Sequence, residues 1–250
     1  MSTISKLLIA SAVALTFASC SDDEPANNDG TSGEVVLKLD HRWNGNPFAL
    51  NQSLTHTVNA EGLSFTTLKY YISNVALKST EGDWHKATDQ YFLADAAQGE
   101  NQLKVKNVPT GSYTDIRFML GVDSLRNVSG AQEGALAVSN NMFWSWNTGY
   151  IFVKAEGSSS TSNSGQFTYH LGGFSGPNAA NPVIELSFNG ALLEVEGGSA
   201  PQVHLMVDPS HLWNGGETTA STPMVHMPGA KAKALMTAFK NGITWDHNHN

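Results

Sequence analysis

The sequence predicts an all-β fold: a single-domain, two-sheet β-sandwich with long loops and one short C-terminal helix. Three observations carry this expectation. Charged residues make up only 14% of the 250 residues while glycine occurs 23 times, a composition suited to strands joined by turns. Residues 35–41 and 167–171 alternate apolar and polar side chains cleanly. Further short runs recur along the chain between Gly, Pro and Asn turns.

In order, 35–41 reads as a first strand, with Val35, Leu37 and Leu39 on one face and His41 continuing that row. The stretch 65–77 is rich in aromatic and β-branched residues and predicts a long second strand. Residues 103–106 form a short strand before a Pro109-Thr110-Gly111 turn, and 113–122 follow as another. The next strand spans 142–154 and is interrupted by Gly149, the mark of a bulge. On 167–171, His170 lies opposite the Phe167, Tyr169 and Leu171 row; 183–188, 192–195 and 203–207 complete the set. Residues 230–240 break the pattern with Ala, Lys, Leu and Met, and predict a helix with Leu235 and Phe239 on one face and Gly242 as its cap.

The chain begins with Lys6 and a short apolar run, 7–17, and then Phe17-Ala18-Ser19-Cys20. This resembles a bacterial lipoprotein signal peptide over 1–19, with cleavage before Cys20 and lipid on its thiol. Cys20 is the sole cysteine, so it has no internal disulfide partner. The acidic run Ser21-Asp22-Asp23-Glu24 opens a flexible tether, 20–33, and resembles an export signal to the surface of the outer membrane. One folded domain, 34–250, follows. The expected location is the outer membrane, facing the periplasm or the cell surface. The net charge of −8 argues against nucleic-acid binding, which needs clustered Lys and Arg.

Nine histidines beside one cysteine point to a site built from nitrogen ligands, with copper or zinc as the fitting ions. His247 and His249 have i, i+2 spacing, so in an extended tail both imidazoles face one point, with Asp246 as an acceptor orienting a ring. His41 at the end of the first strand supplies a third nitrogen. His170 either ligates or hydrogen-bonds in a polar layer. His204 and Met206 share a strand face, as packing residues or as a soft ligand pair; Met224, His226 and Met227 precede Pro228, and these methionines read more readily as core filler than as ligands. His56, His85 and His211 read as loop or surface residues. Trp144 and Trp146 also have i, i+2 spacing, and either pack in the core or form a redox-active pair beside a metal. Asp123 and Arg126 read as a self-bonded turn.

Four segments together carry a resemblance. They are Tyr70-Tyr71-Ile72-Ser73-Asn74-Val75, the run from Gly121 to Gln132, the Trp144/Trp146 motif through Tyr150, and Tyr169-His170-Leu171-Gly172-Gly173. The chain resembles the MbnP-like family of secreted copper-binding proteins from about Asp40 to its end. The resemblance implies a β-sandwich outside the cytoplasm, copper binding with His41 and the Asp-His-x-His-Asn tail as ligands, and a di-haem partner of the cytochrome c peroxidase type that oxidises a tryptophan, here Trp144 or Trp146, to kynurenine. The lipid anchor departs from relatives with a plain signal peptide.

No nucleophile elbow, phosphate loop or zinc-protease helix is present, and no enzymatic activity is expected. The expected function is copper acquisition or handling. The alternative is a glycan-binding lipoprotein of a nutrient-uptake system, with Trp144, Trp146 and Trp84 stacking on sugar rings. Buried tryptophans beside clustered imidazoles favour the metal; coplanar exposed rings favour sugar.

Overall fold

The computed structural model describes residues 31–98, 101–130, 132–145 and 148–250. Cys20 and Trp146 lie outside the described residues. Two curled sheets face each other. The smaller has five strands, running Ile243–His249, Gln202–Val207, Ser32–Trp43 and Asn46–Pro47, with Asn101–Pro109 also paired to the first strand. The larger has ten, organised around the long strand Gly62–Ser79, which pairs with Gly111–Leu120 and Val153–Ser159. Gln166–Leu171 and Met224–Val225 extend it on one side and Val183–Ser187 on the other. Among the described residues no helix is long and apolar enough to cross a membrane.

Alternation builds the core. Val35, Leu37 and Leu39 point inward and are buried, whereas Lys38 and Asp40 face out and are partly exposed. Opposite them the larger sheet contributes Phe65, Leu68, Tyr70, Phe118 and Tyr169, all fully buried. Trp213, in a 3-10 turn after the 202–207 strand, sits edge-on to Phe65 at 5.9 Å and Phe167 at 5.4 Å between ring centres. Its Nε1 donates to the Tyr169 hydroxyl at 3.1 Å, so the polar atom of the large ring is satisfied where it is buried.

The strand expected over 142–154 is instead three pieces: Phe143–Ser145, Gly149–Tyr150 and Val153–Ser159, the first two paired antiparallel. Gly149 is the reason. Its φ is +73°, and a Cβ there would meet Asn127 Oδ1 at 2.1 Å. That oxygen accepts from the Tyr150 N–H at 2.8 Å and fixes the reversal. The helix Ala230–Lys240 forms as expected, burying Leu235 and Phe239. Gly242 does not take the left-handed cap conformation; it allows close approach, because a Cβ would meet the Asp208 carbonyl at 2.3 Å.

His56 lies in a loop, as its sequence suggested, but is buried rather than on the surface. It is 1% exposed, with Nε2 3.0 Å from the Ser210 carbonyl and Nδ1 accepting from the Asn59 N–H at 3.4 Å. The carbonyl only accepts, so Nε2 carries a proton and ties the 56–61 loop to the turn that holds Trp213.

Trp213→Ala removes the ring shared by both layers. It is expected to cost about 3–5 kcal/mol, read as a lower denaturant midpoint at unchanged slope.

Candidate metal centre

The site arises from the middle of the smaller sheet. The 202–207 strand pairs in parallel with the first strand, setting Lys38 against His204 and Asp40 against Met206. On its other side it pairs antiparallel with the last strand, setting His204 against His247 and Gln202 against His249. Val203, Leu205 and Val207 are fully buried, so His204 and Met206 are on the outward face with Lys38 and Asp40. The last strand brings His247 and His249 to that face.

These three imidazoles form the one group of three or more His, Cys, Asp or Glu residues among the described residues that is compact enough for a metal, with candidate ligand atoms within 4.8 Å of one another. Ring centres are 4.1 Å apart for His204 and His247, 5.0 Å for His204 and His249, and 4.7 Å for His247 and His249. His247 Nε2 and His249 Nε2 are 3.1 Å apart. Each of two rings has a carboxylate behind it: His204 Nδ1 lies 3.1 Å from Asp40 Oδ2, and His247 Nδ1 lies 2.9 Å from Asp246 Oδ2. An ionised carboxylate only accepts, so both Nδ1 atoms carry the proton and both Nε2 atoms keep a lone pair. The His204 Nε2 is buried and has no hydrogen-bond partner. An orphaned imidazole nitrogen aimed into two further imidazoles is what a borderline metal ion such as copper or zinc would satisfy.

His41 is not part of this group. Alternation puts it on the inward face, one residue beyond Asp40. Its Nε2 lies 3.0 Å from the Tyr70 hydroxyl, and its ring meets Tyr70 and Phe48 at 5.8 and 6.2 Å. Burial pushes its pKa down from 6.5 to about 4, against the opposing pull of Asp40 and Asp95. The first strand thus reaches the triad through Asp40, a residue that sequence reasoning missed. His204, noted in the sequence only as a partner of Met206, takes the central place. The available signal was the polar row opposite Val35, Leu37 and Leu39, which contains Asp40 and excludes His41.

His170 belongs to a second cluster. Its Nε2 lies 2.7 Å from Glu156 Oε1, and its ring stacks on His226 at 4.6 Å. Trp144 is close by in the fold. A Cβ on Gly172, two residues after His170, would touch the Trp144 ring at 2.9 Å. Likewise a Cβ on Gly173 would touch Pro228, two residues after His226, at 3.2 Å. Trp144 is partly buried, packs on the core, and its Nε1 is buried with no partner.

Asp123 and Arg126 form a clasp. The Asp123 carboxylate accepts from Tyr91 Oη at 2.5 Å, Asn74 Nδ2 at 3.1 Å and the Arg126 N–H at 3.1 Å, capping the short helix Ser124–Asn127. Burial would raise this carboxyl, but the three donors outweigh it and hold the pKa below the ordinary value. Arg126 pairs with Asp89 at 3.0 Å. Trp84, the third candidate sugar platform, has the Arg117 guanidinium 4.2 Å over its ring.

The lowered pKa of His41 has a stability consequence. Between about pH 6.5 and 4 the unfolded chain binds a proton at this residue that the folded chain refuses, so stability falls as pH drops through that window. His41→Gln should flatten this part of the pH dependence, measured as urea midpoints from pH 7 to 4.

Comparison with known proteins agrees with this architecture. The MbnP family model matches residues 32–228. Among solved structures, MbnP from Methylosinus trichosporium superposes with a TM-score of 0.51 at 15% identity, covering 80% of this chain and 83% of that one, which shows a shared fold. No curated protein matches. With a family match over most of its length and the same sandwich, the chain belongs to the MbnP family.

Proposed function

We propose that this protein is a copper-handling lipoprotein of the cell envelope that binds one copper ion through the Nε2 atoms of His204, His247 and His249. The observation that carries the reading is the convergence of three imidazoles with an unpartnered buried nitrogen at His204 and a carboxylate fixing the tautomer of two rings. Three neutral nitrogens suit Cu(I), Cu(II) or zinc. The family supports copper among these. The exposure of His247 and His249 leaves the site open to an incoming chelate or donor protein. The Cys20 anchor and the acidic tether would hold such a site at the outer membrane, with binding rather than catalysis as its role.

The same reading includes a modified tryptophan. Trp144 is the candidate, since its ring is wedged against Gly172 beside His170 and its indole N–H lacks an acceptor. A di-haem peroxidase-type partner would convert it to kynurenine, whose ketone and aromatic amine would add donors there. Glycan binding gains no support: Arg117 covers Trp84, and Trp144 is packed rather than displayed.

Titration of the purified chain with Cu(I) against a chromophoric chelator tests the metal. The expected result is a tightly held ion at the triad, so that the number of ions bound falls by one in the double variant His247→Ala/His249→Ala. Asp40→Asn should weaken binding by about 10–100-fold, the usual effect of losing a residue that orients a ligand. Affinity should fall as pH drops and protons compete for the same lone pairs. Wild type that stays empty after Cu(I) addition would sink the reading. Incubation with a di-haem peroxidase and peroxide should give an intact-mass change matching indole-to-kynurenine conversion, abolished by Trp144→Phe.

A further inference from the structure

The second histidine cluster lies on the larger sheet, on strands that contribute nothing to the triad. Met224–Val225 runs parallel to Gln166–Leu171, with Thr168 against Met224 and Tyr169 against Val225. On the other side Val153–Ser159 sets Lys154 against His170 and Glu156 against Thr168. Phe167, Tyr169, Leu171, Ala155 and Val225 face the core and are buried. Alternation therefore leaves Lys154, Glu156, His170 and Met224 together on the opposite face, and His226 joins them by stacking on His170.

Three features of this face call for a ligand. The His226 Nε2 is buried without a hydrogen-bond partner, though the ring is only partly buried as a whole. The His170 Nε2 is 2.7 Å from Glu156 Oε1; the carboxylate only accepts, so the proton sits on Nε2 and Nδ1 keeps a lone pair. Met224 is 60% exposed, so its thioether is not filling the core. Charge then selects the ion. Glu156 is already engaged by His170 and by Lys154 Nζ at 3.6 Å, so the donors left over are two neutral nitrogens and one neutral sulfur. A neutral set containing thioether suits a soft monovalent ion better than a hard divalent one. The ring centroids stand 4.6 Å apart in a stack tilted by 21°, so the two imidazoles are neighbours, and binding would tilt them out of the stack for both lone pairs to converge on one ion.

We propose that His170, His226 and Met224 form a second metal site, separate from the triad, that takes a soft monovalent ion of the Cu(I) or Ag(I) class.

The test uses the full chain with the triad removed, His204→Ala/His247→Ala/His249→Ala, titrated anaerobically with Cu(I) and separately with Ag(I). One ion should still bind. Adding His226→Ala should abolish it. Adding Met224→Leu should weaken Ag(I) by about tenfold or more. Met227→Leu, a neighbouring exposed methionine, should change nothing. A triad-free protein that binds no ion, or one whose remaining ion survives His226→Ala, overturns the proposal, provided the thermal midpoint shows the variant is folded. His226→Ala in the otherwise intact chain retains the triad, so its own titration reports on the earlier reading independently.

Discussion

The register of the last strand on the 202–207 strand is the constraint from which the metal centre follows. Counted back from Val207 against Ile243, a regular ladder would set His204 opposite Asp246 and leave His247 opposite inward-facing Val203. The ladder is not regular: Leu205 pairs with Trp245 and His204 with His247, so one residue is inserted at Asp246. That bulge moves His247 onto the outward row beside His204, and His249 follows two residues on. It also leaves Asp246 free to accept from His247 Nδ1. A single extra residue thus turns a strand end of mixed facing into two convergent imidazoles and an orienting carboxylate. The terminal Asn250 helps hold this edge, since its Oδ1 accepts from the Glu194 N–H at 2.8 Å on the larger sheet.

The parallel pairing on the other side of the same strand supplies the remaining component. Asp40 is held across from Met206 by the ladder and reaches back to His204. The carboxylate and the imidazole are 164 residues apart in sequence. They meet because the first and last strands both use the 202–207 strand as their neighbour, closing the smaller sheet around chain segments from its two ends. The site is therefore a property of the sheet order, and its rigidity is that of paired backbone rather than of a loop.

Sequence made the fold class legible because alternation at Val35–Leu37–Leu39 and Phe167–Tyr169–Leu171 is a local signal. It made His247 and His249 legible for the same reason, through their spacing of two. It did not reveal the third imidazole of the cluster, because strand adjacency is not local: nothing near His204 states that the last strand pairs with it. His41 illustrates the complementary error. Its place at the end of an apolar row already implied an inward side chain, and the resemblance to metal-binding relatives outweighed that implication. The interruption of the 142–154 stretch at Gly149 was legible, but its division into three pieces was not, because the contact that makes it, Asn127 against Gly149, is long-range. The burial of His56 was not legible because its partners, Ser210 and Asn214, are more than 150 positions away.

Hydrogen-bond accounting separates the histidines better than position or burial does. His56 is almost fully buried, with Nε2 donating to the Ser210 carbonyl and Nδ1 accepting from the Asn59 N–H, so its burial costs little and it acts as a brace. His41 is held neutral with the Tyr70 hydroxyl against Nε2, a closed arrangement inside the core. His204 and His226 differ from both, for each keeps a buried nitrogen with no partner. Each also has a neighbouring ring backed by a carboxylate: His247 with Asp246 in one case, His170 with Glu156 in the other. A folded chain keeps an unsatisfied buried nitrogen only at a cost of about 1–3 kcal/mol, and an ion removes that cost by taking the lone pair. The two clusters then differ in their third donor. Where it is another imidazole, His249, the donor set has the chemistry that suits borderline ions. Where it is an exposed thioether on a face whose one carboxylate is already engaged, the softer and less charged ion is the better match.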